Sequence, residues 1–358
     1  MIHTCTIWEV KVGKSMSRKE RVKSGVPQGS VLGPLMFLIF VSDMGMINHS
    51  NDPLLKSYLY VDDAKVCRDI KNEDDICCFQ NSLEDYYIWA YNNNMLYNDS
   101  KFVLMRYGKN QSLKDDYLYF TDEMSLPIED HENQRDLGVY MSNNGNFHHH
   151  IDTIIKKAKQ KIGWICRTFH CRDINFMKRM YVTFVRPHLD YCSQLWSPSE
   201  GPYLDRIERV QCNFTKLIPE LKHLEYHDRL KCLNISSIQR RYDRYKIFYV
   251  MKMIRGIVPN SGIVINHNSS HRTGLNLSTL PGNVSKLRKA TFQYIAPRIF
   301  NLLPMNLRNH NGSMDLFKKD LDQFLQMIPD IPRIGQGSKM YSNTLESQLS
   351  QWSWNLYC

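Results

Sequence analysis

The segment Lys56-Ser-Tyr-Leu-Tyr-Val-Asp-Asp-Ala-Lys-Val-Cys67 decides how this chain is interpreted. Apolar and aromatic residues flank the adjacent Asp62 and Asp63, a pattern that predicts a β-hairpin with carboxylates at its tip. Two carboxylates this close repel each other unless a cation lies between them, and hard divalent cations prefer oxygen ligands. The pair therefore indicates a Mg²⁺ site that handles phosphate. The alternative is an ordinary Asp-Asp turn.

A glycine-containing loop precedes the hairpin and leads into an apolar segment. The loop reads Ser24-Gly-Val-Pro-Gln-Gly-Ser-Val-Leu-Gly-Pro34, and the apolar run from Leu35 to Val41 follows it. Glycine allows the backbone to approach a ligand closely, and Pro34 suits the first turn of a helix. Backbone N–H groups at a helix start also attract negative charge. The order of loop, apolar helix and Asp-Asp hairpin is more specific than either motif alone.

With these motifs in this order, the chain resembles the reverse transcriptases of non-LTR (LINE-type) retrotransposons. Ser24 to Pro34 looks like the family's template- and nucleotide-positioning loop. Tyr60-Val-Asp-Asp63 resembles the catalytic hairpin, although Val61 and Ala64 stand where many members have Ala and Thr. Asn98-Asp-Ser-Lys101 resembles the palm motif whose lysine lies near the incoming nucleotide.

The resemblance continues into the second half of the chain, so that it runs from about Val10 to about Pro329. Arg135-Asp-Leu-Gly-Val139 resembles the strand that leads from the palm to the thumb. Further positions fit the family's helical region behind the palm: Val185-Arg-Pro187, Leu189, Tyr191, Trp196, Pro198, Glu208, Val210-Gln211 and Arg229-Leu230.

The resemblance implies a function, a cofactor and site residues. The implied activity is RNA-directed DNA polymerisation by two-metal nucleotidyl transfer, with Mg²⁺ or Mn²⁺ as cofactor and an RNA template, a DNA primer and dNTPs as partners. Asp62 and Asp63 would bind the metal and act in catalysis together with Lys101, for which a solvated lysine at a strand end is the alternative. The implied substrate-binding residues are Pro27, Gln28, Gly29 and Tyr60.

One metal ligand of that family is not found where the resemblance would place it. Members carry another catalytic aspartate in a Phe-x-x-Asp type strand upstream of the glycine-containing loop. Before Asp43, this chain has only Glu9 and Glu20 as acidic residues, and Val10 to Ser15 resembles the palm strand just ahead of the loop. We therefore expect the chain to begin inside the palm, to lack the fingers and any N-terminal endonuclease, and to be inactive alone.

Charge is distributed unevenly along the chain, whose 358 residues carry a formal net charge of +10. A basic balance favours an anionic partner. Between Lys156 and Arg186, nine Lys or Arg residues accompany one acidic residue, Asp173. Since the resemblance places this segment in the thumb, it predicts nucleic-acid binding, with solvated helix faces as the alternative. The candidate residues are Lys156, Lys157, Lys159, Lys161 and Arg167.

The remaining patterns concern the cellular compartment. Ten cysteines occur without a Cys-x-x-Cys spacing, and the sequence shows no signal peptide, which favours reduced thiols. The apolar run from Val31 to Val41 is shorter than the roughly 20 residues that span a bilayer. We therefore expect an intracellular protein, nuclear or cytoplasmic, that is neither secreted nor bound to a membrane.

The predicted fold class is α+β: a partial right-hand polymerase palm, with an antiparallel sheet and helices, followed by a mainly α-helical thumb and C-terminal region. The predicted domains are a palm over 1–145, a helical thumb over 146–258, a flexible linker over 259–285, a terminal helical segment over 286–330 and an uninformative tail over 331–358. Helices are expected near 34–46, 72–94, 148–171, 173–187, 202–218 and 236–256, and strands near 101–107, 117–120 and 137–141. Two other functions stay open: a non-catalytic nucleic-acid-binding remnant that uses the basic thumb, and a helical interaction protein.

Overall fold

A computed structural model describes residues 7–21, 29–47, 52, 54–95, 97–98, 101–108, 117–120, 125–198, 201–266, 275–332, 334 and 343–349. The chain divides into two compact units, Met1–His131 and Glu132–Cys358. The described part mixes helices with small, antiparallel, two-stranded sheets, in agreement with the predicted mixture of helices and strands.

The part of the first unit that the structure describes contains short hairpins and two α-helices. Its strands and helices are β1 (Ile7–Trp8), β2 (Lys11–Val12), β3 (Ser15–Met16), β4 (Glu20–Arg21), α1 (Gly33–Phe40), β5 (Lys56–Tyr60), β6 (Asp63–Cys67), α2 (Glu73–Asn92), β7 (Leu118–Phe120) and β8 (Ser125–Pro127). The antiparallel pairs are β1 with β4, β2 with β3, β5 with β6 and β7 with β8.

Helix α2 organises the small core of the first unit. It begins with a capping box, in which the Asn72 side chain accepts from the N–H of Asp75 and the Asp75 carboxylate accepts from the N–H of Asn72. Its inner face buries Ile76, Phe79 and Tyr86. The core is limited, because much of helix α1 stays exposed, as its outward Leu35, Leu38 and Ile39 show.

The second unit is mainly helical and larger. Its elements are β9 (Asn133–Asp136), β10 (Val139–Ser142), α3 (His148–Thr168), α4 (Ile174–Met180), α5 (Arg186–Asp190), α6 (Ser193–Trp196), α7 (Pro202–Thr215), α8 (Tyr226–Leu233), α9 (Ile238–Ile254), β11 (Ile265–Asn266), β12 (Asn276–Leu277), α10 (Lys286–Lys289), α11 (Phe292–Asn301), α12 (Met305–Arg308) and α13 (Met314–Met327). Helix α9 contributes residues to two apolar clusters, Tyr242 to one and Ile247 and Val250 to the other.

A π-helical segment, Tyr181–Val185, joins α4 to α5. Pro187 has no N–H, so the ordinary bond to the carbonyl of residue 183 cannot form. The helix adjusts just before the proline: the N–H of Arg186 bonds to the carbonyl of Tyr181, five residues earlier. The chain thereby remains helical up to Asp190, and the side chain of Tyr181 stays buried.

Glu208 lies at the centre of a buried polar network that joins several helices. Its Oε2 accepts from the N–H of Ile238 at 2.8 Å, at the start of α9, and its Oε1 accepts from the hydroxyl of Tyr226 on α8. Gln211, one turn further along α7, accepts at Oε1 from Arg241 (2.7 Å) and donates to the Tyr226 hydroxyl (3.0 Å). Since buried polar groups cost free energy unless they are paired, the network fixes the relative positions of α7, α8 and α9.

Most predicted elements are observed, and one is wrong. The helices and strands predicted within 72–94, 117–120, 137–141 and 202–218 are present with small shifts of their ends. The strand predicted over 101–107 does not form; that run makes only an isolated bridge, between Leu104 and Asp130. The helix predicted near 34–46 ends at Phe40 and is followed by a single 3₁₀ turn, Met44–Met46.

Two regions about which the sequence predicted little structure carry ordered contacts. Within the predicted linker, β11 pairs with β12 and Leu277 is buried. In the tail, the side chain of Leu345 is buried in the second apolar cluster of this unit. Asn343 donates to Asp330 and accepts from the N–H of Ile331, so polar contacts hold this short segment next to α13.

The buried position of Glu208 predicts a pH-dependent stability. Burial raises the pKa of this carboxyl from 4.5 to about 7, so between these pH values the folded state binds more protons than the unfolded state. The free energy of unfolding should therefore fall as the pH rises through this window. Relative to the Glu208→Gln variant, which cannot titrate there, we expect a loss on the order of 3 kcal/mol between pH 4.5 and pH 8, measured by urea denaturation.

The difference between the unfolding free energies of wild type and Glu208→Gln removes the contributions of the other titrating groups, which both proteins share. Burial lowers the pKa of His150 to about 4, which gives a slope of opposite sign between pH 4 and 6.5 in both proteins. Stability curves that run parallel for wild type and Glu208→Gln would contradict the assignment to Glu208.

Candidate functional site

The Asp-Asp motif lies at the tip of a tight hairpin, as predicted. Strands β5 and β6 pair in antiparallel register from Lys56 opposite Cys67 to Tyr60 opposite Asp63. The loop therefore has two residues, Val61 and Asp62. Both aspartates are exposed, and the hairpin register places Asp63 on the same face as Tyr60. The carboxylates are thus accessible to a ligand from solvent.

The turn holds Val61 in a conformation that its side chain disfavours. Its φ is +56°, in the left-handed region, whereas Asp62 does not have a positive φ. A two-residue hairpin turn with positive φ at its first position ordinarily uses glycine there. A β-branched residue in this region is strained by roughly 1–2 kcal/mol. Such strain clusters at ligand-binding and catalytic sites, which makes this turn the strongest structural indication of function in the first unit.

Buried polar contacts hold the base of the hairpin. Arg68, directly after β6, binds the carboxylate of Asp52 through Nε at 2.5 Å and that of Asp75 through Nη1 at 2.8 Å. Asp52 is buried, and Arg68 and Asp75 are partly buried. The hydroxyls of Ser57 on β5 and Tyr86 on α2 are also hydrogen-bonded. The strained tip is therefore attached to α2 by its two strands.

The aspartates offer part of a metal site. Carboxylate oxygens are the donors that Mg²⁺ prefers, and Asp62 and Asp63 supply them at adjacent positions. Among the described residues, however, no group of three or more His, Cys, Asp or Glu side chains could together hold a metal ion. The donors present fit a hard divalent cation, but a two-metal site needs further ligands.

The other predicted residues of this site are only partly described. Lys101 is exposed, and its N–H bonds to the carbonyl of Asn98 at 2.9 Å, so it lies at a turn and not on the expected strand. Tyr60 is exposed on the hairpin, and Gly29 has a φ of +82°, a conformation that suits glycine. Pro27 and Gln28 lie outside the described residues.

The basic segment of α3 does not form one surface. Lys156, Lys159 and Arg167 lie along one side of the helix, because their separations of three and eleven residues are close to whole turns. Lys157 and Lys161 lie on another side, beside α5: burial lowers the pKa of His188, and the charges of Lys161 and Lys157 lower it further. The predicted lysines thus belong to two sets.

An open groove of about 610 Å³ lies along α3 and is closed on one side by Arg206 of α7. It contains the first set of cations and one that the sequence analysis missed, Arg206 on α7. Arg206 forms an ion pair with Asp152, with 2.6 Å between Nη2 and Oδ1. The residues that line the groove are Asp152, Ile155, Lys156, Lys159, Gln160, Gly163, Arg167 and Arg206.

Sequence reasoning missed these partners because they are distant along the chain. Asp152 and Arg206 are separated by more than fifty residues, and no local pattern connects them. Asp52 and Arg68 are sixteen residues apart, and no local pattern connects them either. The other partner of Arg68, Asp75, lies in the acid-rich start of α2. The one available signal for Arg206 was the amphipathic pattern of α7, which places it with the exposed Arg209 and opposite the buried Leu204 and Gln211.

The strain at Val61 leads to a prediction about local stability. Asn tolerates the left-handed region better than a β-branched residue, so Val61→Asn should stabilise the hairpin by about 1 kcal/mol. The measurement is hydrogen exchange of the β5 and β6 amides, which reports local opening. Val12→Asn, at an exposed strand residue without positive φ, is the control and should give no gain. Faster exchange in Val61→Asn would refute the assignment of strain.

No helix within the described part of the chain is both long and apolar enough to cross a membrane. Comparison with known proteins gives neither a matching protein-family model nor a matching solved structure.

Curated relatives do match, and all of them are polymerases of mobile elements. The chain is 23% identical over 253 residues to a probable RNA-directed DNA polymerase from transposon X-element of Drosophila melanogaster, which covers 66% of this chain and 26% of the relative. The corresponding polymerase from transposon BS of the same organism is 23% identical over 268 residues, 69% of this chain and 28% of the relative. The polymerase from mobile element jockey of Drosophila funebris is 25% identical over 206 residues, which are 55% of this chain and 22% of the relative.

The chain therefore spans about a quarter of the length of the curated relatives it matches. The resemblance inferred from the hairpin and loop motifs is confirmed: this chain is homologous to the RNA-directed DNA polymerases of Drosophila non-LTR transposons.

Proposed function

We propose that this chain is part of an RNA-directed DNA polymerase of a non-LTR retrotransposon, with Asp62 and Asp63 among the ligands of its catalytic metals. The observation that carries the proposal is the hairpin tip, where a strained Val61 presents two exposed, adjacent carboxylates. Polymerase activity in the relatives gives this geometry its chemical meaning. We assign the first unit to the palm and the second to the thumb and following helical region.

The two aspartates have unequal roles in this proposal. Asp62 occupies the turn itself, whereas Asp63 begins β6 and pairs with Tyr60. Their side chains therefore leave the backbone in different directions, and we assign the principal metal contact to Asp62. Bound Mg²⁺ would neutralise charge on the transferred phosphate and orient the attacking and leaving oxygens. Tyr60, on the same face as Asp63, and the loop from Pro27 to Gly29 would position the nucleotide.

The chain is proposed to be inactive in isolation. Nucleotidyl transfer by two metals needs carboxylates that converge from more than one strand to hold ions roughly 3.5–4 Å apart. Among the described residues, no group of three or more His, Cys, Asp or Glu side chains could hold a metal ion, so the hairpin pair has no third such ligand there. A further carboxylate would have to come from elsewhere in a complete polymerase.

The second unit would bind the template–primer. The first helix of that unit, α3, carries exposed cations on two of its sides, and we assign the phosphate contacts to the side that lines the groove, with Lys156, Lys159 and Arg167. Binding through phosphate contacts requires no catalysis. The basic groove therefore also favours a second candidate function, a nucleic-acid-binding protein without polymerase activity.

The first prediction from this proposal concerns activity. The purified chain should incorporate no dNTP into a primed RNA template with Mg²⁺ or Mn²⁺. A chimera that joins it to the remaining part of a relative's polymerase should incorporate dNTPs, and Asp62→Asn should abolish that activity, by at least about 10²-fold, because it removes an anionic metal ligand. Asp43→Asn, at an exposed aspartate outside the hairpin, is the control. An active Asp62→Asn chimera would reject the metal site.

The second prediction concerns Lys101. A lysine beside the leaving pyrophosphate neutralises charge or donates a proton, so its effect belongs to the transition state more than to dNTP binding. In the same chimera, Lys101→Gln should lower the maximal incorporation rate by about 10- to 100-fold and change the dNTP dissociation constant much less. Lys71→Gln, at an exposed lysine between β6 and α2, is the control. Equal rates in Lys101→Gln and wild type would exclude the role.

A further inference from the structure

The groove between α3 and α7 contains an ion pair between a carboxylate on one helix and a cation on the other. Asp152 on α3 pairs with Arg206 on α7 at 2.6 Å, and both side chains are about half exposed, 52% and 46%. The Arg206 guanidinium also lies 5.4 Å from the centre of the Tyr203 ring. The guanidinium is therefore held in place by one carboxylate and one aromatic ring while remaining accessible to solvent.

The other cations of the groove are not engaged in this way. Lys156, Lys159 and Arg167 are exposed and form no ion pair with any residue in the described part of the chain. The groove thus combines four cations with a single carboxylate. A surface with this excess of positive charge attracts an anion, and Asp152 is the internal anion already present.

We propose that this groove binds the sugar–phosphate backbone of a nucleic acid, and that Asp152 occupies the phosphate position on Arg206 until the nucleic acid displaces it. The proposal rests on the proposed function for the class of partner, and goes beyond it in naming the groove and its internal competitor. A guanidinium donates to a carboxylate or to a phosphate through the same planar set of N–H groups, so a phosphate can take the place of the Asp152 carboxylate on Arg206.

The spacing of the cations fits an extended polyanion better than a single phosphate. Lys156 and Arg167 are eleven residues apart, so they span about 16 Å of helix. Charges along one strand of duplex DNA recur every 3.4 Å or so of the helix axis, so about five phosphates fit this length. The three cations of α3 over this length, together with Arg206 on α7, can contact most of them.

Gly163 leaves the middle of the groove open. It lies between Lys159 and Arg167 on the groove side of α3. A Cβ at this position would lie 3.1 Å from Nη1 of Arg167 and would displace that side chain. A glycine in a helix interior costs about 0.5–1 kcal/mol of stability relative to alanine. Here it leaves room for the side chain of Arg167 and for the sugar–phosphate backbone of the proposed ligand.

The first arm of the test compares two matched pairs of lysines on the same helix. The groove variant is Lys156→Gln with Lys159→Gln, and the flank variant is Lys157→Gln with Lys161→Gln, which changes the net charge equally. Binding of the full chain to a fluorescein-labelled DNA duplex of mixed sequence is measured by anisotropy over a range of salt concentrations. We expect the groove variant to bind at least about 10-fold more weakly at low salt and its log–log salt slope to shrink by about 2, while the flank variant stays near wild type.

The second arm tests the competitor. Asp152→Asn should tighten duplex binding by about two- to five-fold, the range that corresponds to loss of one exposed ion pair, and Arg206→Gln should weaken it. Loss of any acidic residue raises the net positive charge and by itself favours binding of a polyanion. Asp205→Asn, on the same helix as Arg206, is therefore the matched control and should tighten binding less than Asp152→Asn does. Far-ultraviolet circular dichroism checks folding, and the charge-preserving Lys156→Arg, Lys159→Arg variant must retain binding.

Three results would overturn the proposal. One is equal weakening in the groove and flank variants, and another is unchanged affinity in Asp152→Asn. The third is displacement of the duplex by polyglutamate as readily as by unlabelled duplex, which would point to an acidic protein as the partner. These assays need no polymerisation, so an inactive chimera would reject the catalytic assignment and leave this test unaffected.

Discussion

The second unit depends on one buried carboxylate, that of Glu208. The side chain is 3% exposed, and it compensates for the loss of water by accepting from the N–H of Ile238 and the hydroxyl of Tyr226. Burial raises the pKa of this carboxyl, while the hydrogen bonds from Tyr226 and Ile238 act in the opposite direction. Removal of either partner would leave a polar group buried and unpaired, so the helices that meet here cannot shift independently. Two of the positions that resemble the family skeleton, Glu208 and Gln211, belong to this network.

The polar network around Glu208 also fixes the position of Arg206 in the groove. Arg206 is two residues before Glu208 on α7, so fixing Glu208 also fixes the turn from which Arg206 extends. Helix α3 packs on α7 through Ile151, Ile154 and other buried residues of the same apolar cluster. The distance between the Asp152 carboxylate and the Arg206 guanidinium is thereby set by the core and not by the two exposed side chains alone. A surface for a polyanion built on rigid helices loses less conformational entropy on binding than one built on loops.

Local patterns predicted what local interactions determine. The hairpin at Tyr60 to Asp63, the capped helix α2 and the amphipathic α3 each carry their signal within a short segment, and each is observed. The strand expected near Lys101 failed because a strand needs a partner, and the sequence of one run does not specify whether a partner lies beside it. The sequence prediction treated the cations of α3 as one set, although the helical period alone divides them between two sides. The pairing of Arg206 with Asp152, by contrast, is set by tertiary structure.

The candidate metal site shows how local and distant interactions combine. A two-residue turn can form from local sequence, but a β-branched residue at positive φ persists only where the surroundings over-determine it. Here the constraint acts at the far end of the strands, where Arg68 binds Asp52 and Asp75 and Ser57 bonds to Tyr86. The tip itself, with its exposed aspartates, has few contacts of its own. Because the contacts at the base hold the turn conformation, both carboxylates stay accessible while the directions in which they can point are limited. A metal-binding hairpin needs both properties.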